Sequence, residues 1–398
     1  MLHNKNMQDL THTLLHSQMS KIYIYQALIS FVTSLVGIFV SVYLYSKGFN
    51  LIMILLYSLG ISLTYIICAP TIIYLINKIG LKYTLLLSSP FYFIQLISLQ
   101  HITTHIIFFH ILWLSQGIYT GIFWFAFRCE VINNGNNKTR GNEIGTLQII
   151  ATTLTTIGPV LGGFFLEYLT YTKLLILATI FLILSNIPLL ISKDKKIPKL
   201  KFKHKDYLKL IKKKSNKKTK ITHICEGIEI TLSIFIWPII LYIFLKGNFA
   251  SLGLMYTTLS IITIIVLIYL KTYIDKHPKK KILKITSTLQ SLGWLSRTIL
   301  ILFGSIFIYI IENLTKLVSN VLNMTITSIF YNNTTPKNFI EALLTRVLYL
   351  HGTKVIFCIL LITILMFIEN NFSNLTILLI FGIISSIGLN SIIENEIY

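Results

Sequence analysis

The chain has few charged residues, and far fewer acids than bases. Charged residues make up 12% of its 398 residues, with 14 acids against 35 lysines and arginines. The mean hydropathy is +0.73. A soluble domain of this size needs a more charged surface, so the composition excludes that class. Apolar runs of about 20 residues recur along the chain, which is the length that crosses the hydrocarbon core of a bilayer. The sequence therefore predicts an all-α polytopic membrane protein.

Signatures of several other protein classes are absent from the sequence. The four cysteines show neither metal-ligand spacing nor a pairing pattern, so we interpret them as small apolar residues: Cys68, Cys129, Cys225 and Cys358. The phosphate-binding pattern Gly-x-x-x-x-Gly-Lys-Ser/Thr does not occur, which argues against ATP hydrolysis as an energy source. The basic stretches lack interleaved aromatic residues that stack on bases, so no nucleic-acid partner is expected. Neither a metal site nor a cofactor is predicted.

The apolar runs form twelve predicted spans, six on each side of a lysine-rich stretch. They cover, in order, residues 22–45, 51–76, 84–100, 105–127, 144–168, 171–192, 221–245, 250–274, 282–302, 305–330, 346–367 and 374–392, and are numbered 1 to 12. Residues 1–20 lack the apolar core of a signal peptide and are predicted to be a cytoplasmic segment. Two six-helix bundles are predicted, the N-terminal half (21–192) and the C-terminal half (221–398), joined by a linker (193–220).

The basic residues are distributed unevenly between the two sides of these spans. If the connections alternate, the side of both termini holds 29 of the 35 lysines and arginines, and the other side holds Lys47, Lys173 and Lys246. The positive-inside rule then places both termini in the cytoplasm of a multi-pass inner-membrane protein. The linker contains fourteen lysines. It is either an amphipathic helix on the anionic inner leaflet or a solvated loop that sets the orientation.

Two pairs of short segments repeat about half a chain apart. Residues 71–82 and 269–280 each end an apolar helix with Asn or Asp, followed by a lysine, a turn residue and another lysine. Residues 47–50 and 246–249 each close the first apolar span of their half with Lys-Gly. Two similar apolar halves are typical of transporters whose repeats move around a central site.

The connections that contain the first repeated pair have a recognisable motif. Asn77, Lys78, Gly80, Leu81 and Lys82 stand where a known family reads Asp-Arg-x-Gly-Arg-Lys, and the matching place in the C-terminal half is occupied by Asp275 and Lys276. A polar helix end followed by bases and a turn former can attach to the neighbouring bundle, so these residues are expected to form gating loops. The alternative is a plain turn that obeys the positive-inside rule.

Spans 4 and 5 contain two further motifs. Span 5 reads Gly158-Pro159-Val160-Leu161-Gly162-Gly163, similar to the Gly-Pro-x-x-Gly-Gly motif of exporter branches of that family. We expect a bend at a bundle interface there, or else an ordinary kinked helix. Span 4 contains Ser115-Gln116-Gly117, with Trp113 where proton-coupled members have Arg.

With these motifs, twelve spans, a repeat of six plus six and a long basic middle loop, the chain resembles the major facilitator superfamily. The resemblance implies two pseudo-symmetric six-helix bundles in which spans 1, 4, 7 and 10 line the path of a small-molecule substrate. The polar candidates for that path are Gln116, Tyr119, Gln148, Glu229, Lys316 and Asn320. A monomer in the lipid bilayer is expected, with a coupling proton or ion left open.

Ionisable residues inside the spans need a reason, because a charge at the bilayer centre costs about 2.5–3.5 kcal/mol. Arg297 and Glu312 have similar depths in the hairpin of spans 9 and 10, so we expect an ion pair. That pair either joins the two spans or, with Lys316, acts in substrate binding or coupling. Glu229 is expected either to bind a proton or cation or to pair with Lys354 or a span-end carbonyl.

The leading functional hypothesis is a secondary transporter that works by alternating access. The aromatic-rich spans and the Gly158-Pro159 motif favour export of amphipathic compounds. The alternatives are an integral membrane enzyme acting on lipid and a non-transporting receptor or scaffold built on a transporter fold. The enzyme hypothesis lacks a cluster of acids, bases or metal ligands, and the short outer connections offer little room for one.

Overall fold

The computed structural model describes residues 18–134, 140–192, 202, 206–212, 217–302, 307–334, 338–367 and 378–392. All regular secondary structure in these ranges is helical. The helices are Gln18–Val36, Phe39–Ser46, Leu51–Gln100, Ile106–Asn134, Arg140–Tyr168, Tyr171–Ile191, Lys209–Lys212, Lys217–Thr231, the π-helical turn Leu232–Ile236, Trp237–Phe244, Phe249–Lys276, Lys279–Leu302, Ile308–Asn332, Phe339–Phe367, Ile380–Gly388 and the 3₁₀ turn Leu389–Ser391. Each predicted span coincides with one or more of these helices.

The helix Leu51–Gln100 contains two predicted spans. Its 50 residues would be about 75 Å long if straight, far more than a bilayer is thick. The backbone leaves the helical region at Gly80, where φ is 85° and ψ is 167°, a conformation that glycine adopts without steric cost. In the C-terminal half the matching position is Pro278. There one helix ends at Lys276, the residue before the proline is extended, and the next helix begins at Lys279.

The turns that close the first span of each half are built alike. Gly48 and Gly247 have positive φ values of 89° and 76°. Asn50 and Asn248 then cap the following helices: each side chain accepts a hydrogen bond from the backbone N–H three residues further on, at 3.0 and 2.7 Å. The repeated sequence therefore corresponds to a repeated backbone turn.

Span 7 is interrupted near its middle. The π-helical turn Leu232–Ile236 is followed by Pro238, which has no N–H to donate one turn back. The carbonyl of Ile234 accepts a hydrogen bond from Ser41 Oγ of span 1 instead, at 3.2 Å. A break in the C-terminal half is thus stabilised by a side chain of the N-terminal half.

Within the described parts of the chain, six helical segments are long and apolar enough to cross a membrane. They are Lys21–Ser46, Leu51–Gln100, Ile106–Glu130, Tyr171–Ile191, Lys217–Phe244 and Phe339–Phe367. Because Leu51–Gln100 is divided at Gly80, they account for seven predicted spans. Two of the remaining helices, Lys279–Leu302 and Ile308–Asn332, contain buried charged side chains. The count of twelve crossings stays a prediction.

The two halves pack on each other through pairs of spans. Span 5 lies against span 8, and the helix Leu51–Gln100 lies against span 11, where Tyr65 of span 2 contacts His351. The apolar core is continuous between the halves. On one side a piece of the linker joins the packing: Tyr207 is buried, and Tyr349 Oη donates to the carbonyl of Ile211 at 3.0 Å. Burial raises the pKa of the Tyr207 hydroxyl, which therefore stays neutral at physiological pH.

Candidate functional site

The interior of the N-terminal half is built from aromatic rings. Tyr119 of span 4 is 4% exposed and lies between two rings, with centroid distances of 4.7 Å to Tyr92 and 5.5 Å to Phe123. Gln116, one turn earlier, donates to Thr120 Oγ1 at 3.3 Å, and its own Oε1 is buried without a partner among the described residues. Of these two predicted path residues, Gln116 keeps an unused acceptor, whereas Tyr119 is enclosed by packing.

In the C-terminal half, Arg297 and Glu312 join spans 9 and 10. Nε and Nη2 of Arg297 both lie 2.7 Å from Glu312 Oε2, and both side chains are buried. The guanidinium group lies over the rings of both Trp237 and Trp294, 4.8 and 4.6 Å from their centroids, and the two rings are nearly perpendicular to each other. Trp237 Nε1 also donates to Glu312 Oε2, at 3.1 Å. An arginine that contacts two indole rings and a carboxylate has little freedom to move.

A small cavity lies beside this ion pair. Its lining comprises Ser233, Trp237, Tyr256, Gln290, Arg297, Glu312, Lys316 and Ser319. Lys316 therefore lies close to the ion pair, but it forms no ion pair of its own among the described residues. Asn320, one turn further along span 10, is partly buried. The predicted grouping of the pair with Lys316 thus corresponds to one polar cavity.

Glu229 lies inside its own bundle, in contact with spans 9 and 12. Gln290 Nε2 donates to Glu229 Oε1 at 2.6 Å, and Trp294 Nε1 donates to both carboxylate oxygens at 2.9 Å. Ser386 Oγ is 3.4 Å from Oε2. The alternative of pairing with Lys354 is not realised in this structure, because these donors surround the carboxylate. Gln290 also lines the small cavity, so it links Glu229 to the ion pair.

A second buried network lies one turn before Glu229, near the start of span 7. Glu226 is 2.7 Å from His223 Nδ1 and 2.7 Å from Arg346 Nη2. Arg346 also lies over the ring of Phe330, 5.1 Å from its centroid. Span 11 was predicted to begin at residue 346, but its helix begins at Phe339. Because the helix starts two turns earlier, Arg346 lies within the packed bundle rather than in a loop.

The two halves also share hydrogen bonds along spans 5 and 8. Thr257 Oγ1 donates to the carbonyl of Thr156 at 2.9 Å and accepts from the N–H of Val160 at 3.1 Å. These two backbone groups are four residues apart and would otherwise bond to each other. A hydroxyl of the C-terminal half is therefore inserted into a helix of the N-terminal half, directly beside Pro159.

The glycines of the span 5 motif face two different neighbours. Gly158 and Gly162 lie against Ser34 and Leu35 of span 1. A Cβ atom added at Gly163 would lie 3.2 Å from the Cα atom of Gly253 in span 8, and would press against the carbonyl of Phe249. The motif therefore lets span 5 approach both its own bundle and the opposite half.

Near this end of span 5, Glu167 binds the start of span 8. Its Oε1 accepts from Asn248 Nδ2 at 3.0 Å, and its Oε2 accepts from the backbone N–H of Phe249 at 2.8 Å. A carboxylate at a helix N-terminus pairs with N–H groups that the helix leaves free. On the predicted topology this contact between the halves lies at the outer surface.

The structure describes the side chains of some expected gating residues but not of others. Asn77 and Lys78 are exposed at the end of span 2, and Gly80 forms the break. Lys82 donates to the carbonyls of Leu190 and Ser192, both at 2.8 Å, at the end of span 6. The side chains of Asp275, Lys276 and Gln148 lie outside the described residues, although their backbones belong to helices.

Sequence reasoning missed Glu167, Thr257 and Arg346. Glu167 is the one acid near the end of span 5, and its rarity in so apolar a region was the available signal. Thr257 offered no signal, because hydroxyl residues are frequent in these spans. Arg346 was missed because span 11 was predicted to begin at residue 346, whereas its helix begins at Phe339.

Long apolar helices packed in two halves, with buried charged pairs inside one of them, define a polytopic membrane transport protein. A family model described as Major Facilitator Superfamily matches residues 22–343, which is most of the chain. The protein belongs to the major facilitator superfamily.

Comparison with solved structures gives the same fold. The crystal structure of the nucleoside transporter NupG matches with a TM-score of 0.69 over 94% of this chain and 98% of that chain. The two sequences are 12% identical, so the likeness concerns the fold alone. A search of curated protein sequences finds no significant match.

Proposed function

We propose that this protein is a secondary transporter that carries a small molecule by alternating access between its two halves. The observation that supports this most directly is the seam between the halves. It is made of close glycine contacts and a few exchangeable hydrogen bonds, such as those of Ser41, Thr257 and Glu167. Contacts of this kind can separate and re-form at low cost, which two rocking bundles require.

The proposed topology has twelve crossings, with both termini and the linker in the cytoplasm of the inner membrane. The 29-to-3 distribution of lysines and arginines supports it. Cysteines placed at Lys213 and Lys47 would be tested with an impermeant thiol reagent on intact cells. We expect labelling at position 47 and none at position 213; the reverse pattern would overturn the orientation.

In the proposed cycle the outer gate includes Glu167. The inner gate consists of the two loops of the repeated motif. One loop contains Asn77, Lys78 and Gly80, and the other contains Asp275 and Lys276. Glu167 is bonded to the start of span 8 in this structure, which supports an outer side that is closed. Lys82 is bonded to its own half. The cytoplasmic loops would then exchange partners when the inner side closes.

Substrate-facing roles are proposed for Gln116, Gln148, Glu229, Lys316 and Asn320. The polar cavity beside Lys316 supports one of these assignments. Export of amphipathic compounds remains the favoured direction, on the strength of the span 5 motif. Nucleosides enter the list of compounds to be tested because the structural neighbour is a nucleoside transporter. Tyr119 has a packing role in this proposal.

The experiment starts from purified protein and a thermal-stability screen of nucleosides, carboxylates, amines and amphipathic drugs. Compounds that stabilise the protein would be tested for counterflow in proteoliposomes. The decisive variant is Glu167→Cys with Asn248→Cys, which places a reversible lock between the halves. We expect flux to stop on oxidation and to return on reduction, whereas Glu167→Cys alone should respond to neither treatment.

Three results would contradict the proposal. Undiminished flux through the cross-linked protein would exclude alternating access at this end of the molecule. Ligand binding without flux, in wild-type protein of proven orientation, would favour the receptor or scaffold alternative. Chemical conversion of an added lipid would favour the enzyme alternative.

A further inference from the structure

Lys354 of span 11 is a buried cation without an anionic partner. The residue is 5% exposed. No carboxylate in the described part of the chain lies within ion-pair distance of its ammonium group. Its contact is with the face of Phe235 in span 7, whose ring centroid lies 5.3 Å from Nζ. A lone charge in a low-dielectric interior is costly unless something pairs with it, so this lysine needs an explanation that packing does not supply.

The residues around Lys354 hold two further unused polar atoms. His351 lies one turn before it on span 11, and its ring centroid is 4.4 Å from that of Tyr65 in span 2. His351 Nδ1 and the Tyr65 hydroxyl are both buried with no hydrogen-bond partner among the described residues. Buried polar atoms are nearly always paired in native proteins. Two of them beside an unpaired ammonium group indicate a place where a ligand completes the bonding.

The electrostatic surroundings are also positive. His351 is within electrostatic range of Lys354, Arg128 and Arg346. Arg346 is neutralised by Glu226 at 2.7 Å, whereas Arg128 of span 4 lies over the ring of Trp124 and forms no ion pair among the described residues. Glu130, also buried in span 4, has a partner of its own. Glu226 also lies within electrostatic range of Arg128, so Lys354 is the cation of this group without a carboxylate nearby among the described residues.

The surroundings of the ammonium group are aromatic. Phe235 meets Tyr57 of span 2 edge to face, with ring centroids 5.9 Å apart. An ammonium group beside one aromatic ring, which in turn contacts a second, suits a ligand that has a negative group and an apolar body. A bare inorganic anion would satisfy the charge but leave the aromatic surface unused.

We infer that Lys354, with Tyr65 and His351, forms a subsite for the anionic group of an organic anion whose apolar part packs on Phe235 and Tyr57. The inference rests on the proposed transport function and names the substrate class for it. Tyr65 and Lys354 belong to opposite halves. An anion bound to both would draw the halves together at this point, so it would be released when they part.

The test uses three compounds of nearly equal shape and different charge: anionic benzoate, neutral benzamide and cationic benzylamine. Two further anions are included, octanoate because it is longer and phenyl phosphate because it carries more charge. Binding would be measured by thermal stabilisation of the purified protein in nanodiscs of neutral phosphatidylcholine. We expect the anions to stabilise wild-type protein, with benzamide and benzylamine at least tenfold weaker. Preference for benzamide or benzylamine, or no binding by any of the three anions, would overturn the inference.

Two variants separate charge from packing. Lys354→Met keeps the length of the side chain without its charge and should lower benzoate affinity about tenfold or more, the loss expected for one charge-assisted bond. Lys354→Arg keeps the charge and should retain most of the binding. Lys173→Met, on the exposed surface, should change nothing. Unchanged benzoate affinity in Lys354→Met would contradict the inference.

A folding control and a lipid control complete the design. Removal of an unpaired buried charge should leave the unliganded protein as stable as wild type or more stable, so loss of binding in Lys354→Met cannot be ascribed to unfolding. Should that variant fail to fold, Tyr65→Phe removes the unpartnered hydroxyl alone, and unchanged benzoate affinity there would count against the subsite. Competition by added phosphatidylserine would identify a lipid headgroup, rather than a free anion, as the occupant. Flux of neutral or cationic compounds alone would refute this inference and leave the transport proposal intact, whereas absence of all flux would refute transport whatever binds at Lys354.

Discussion

The two halves of this protein share a helix order and a repeated turn, but their interiors use different chemistry. In the N-terminal half, the ring of Tyr119 packs against those of Tyr92 and Phe123. In the C-terminal half, Arg297 and Glu312 form an ion pair, and two tryptophans contact the arginine. One architecture can therefore be filled either with rings or with charges, provided that the charges are paired and hydrogen-bonded.

The seam between the halves shows that each half also supplies something different to the other. Span 5 contributes glycines and a helix in which one backbone hydrogen bond beside Pro159 is not formed. Span 8 contributes the hydroxyl of Thr257, which bonds to both of the backbone groups concerned. Span 1 offers the hydroxyl of Ser41, and span 7 offers the carbonyl freed near Pro238. Each helix break is thus stabilised from the opposite half, which couples local helix geometry to the relative position of the bundles.

The largest effect is expected from the ion pair of the C-terminal half. Arg297→Ala or Glu312→Ala leaves one buried charge without its partner and should lower the free energy of unfolding by about 3–5 kcal/mol. The double variant should lose less than the sum of the two single variants. Thermal or denaturant unfolding in detergent would measure all three. Additive losses would mean that the pair does not act as a unit, and the contrast between the halves would then fail.

The next effect concerns the close approach at the seam. Gly163→Ala adds a methyl group against the backbone of span 8 and should cost about 1–3 kcal/mol of packing. We also expect faster labelling of Ser41→Cys from the outer side in that variant, because the halves are held apart. Gly352→Ala is the matched control, since a Cβ atom there meets nothing within 4 Å. Equal behaviour of the two variants would refute a tight seam.

A smaller effect is expected from the inserted hydroxyl. Thr257→Val keeps the shape of the side chain but removes both hydrogen bonds to span 5, at about 1 kcal/mol for each bond. Thr258→Val is the control, because the Thr258 hydroxyl bonds to the carbonyl of Met255 in its own helix at 2.9 Å. Labelling rates of Ser41→Cys would again report the separation of the halves. A larger change in the control than in Thr257→Val would contradict the role assigned to this hydroxyl.

The smallest effect is expected at the cytoplasmic loop of the N-terminal half. Lys82→Gln removes a cation from the free carbonyls at the end of span 6 and should cost about 0.3–1 kcal/mol. Lys78→Gln, four residues earlier and exposed, should cost less. Thermal unfolding at low and high salt would separate them, because salt weakens the Lys82 contact. If Lys78→Gln lost more stability than Lys82→Gln, the stabilising role assigned to the Lys82 contact with span 6 would be wrong.

The sequence predicted a large part of the fold but less of the site. The repeated Lys-Gly turns predicted matching helix ends, and the structure shows glycines with positive φ and asparagine caps at both. The family follows from the same motifs and is confirmed by the family match. The buried partners were harder to foresee. Glu229 was expected to pair with Lys354 or to face the path, whereas its donors come from spans 9 and 12.

Composition and periodicity determined what depends on neighbours along the chain: apolar runs long enough to cross a bilayer, turns at glycine and proline, and the charge asymmetry that favours one orientation. Tertiary structure decided which polar side chains meet. Glu229 meets Trp294, Thr257 enters span 5, and Lys354 is left without an anion. Such pairings depend on the rotation and depth of each helix against helices that are distant in sequence. A rotation by one residue, about 100° around a helix, exchanges one partner for another.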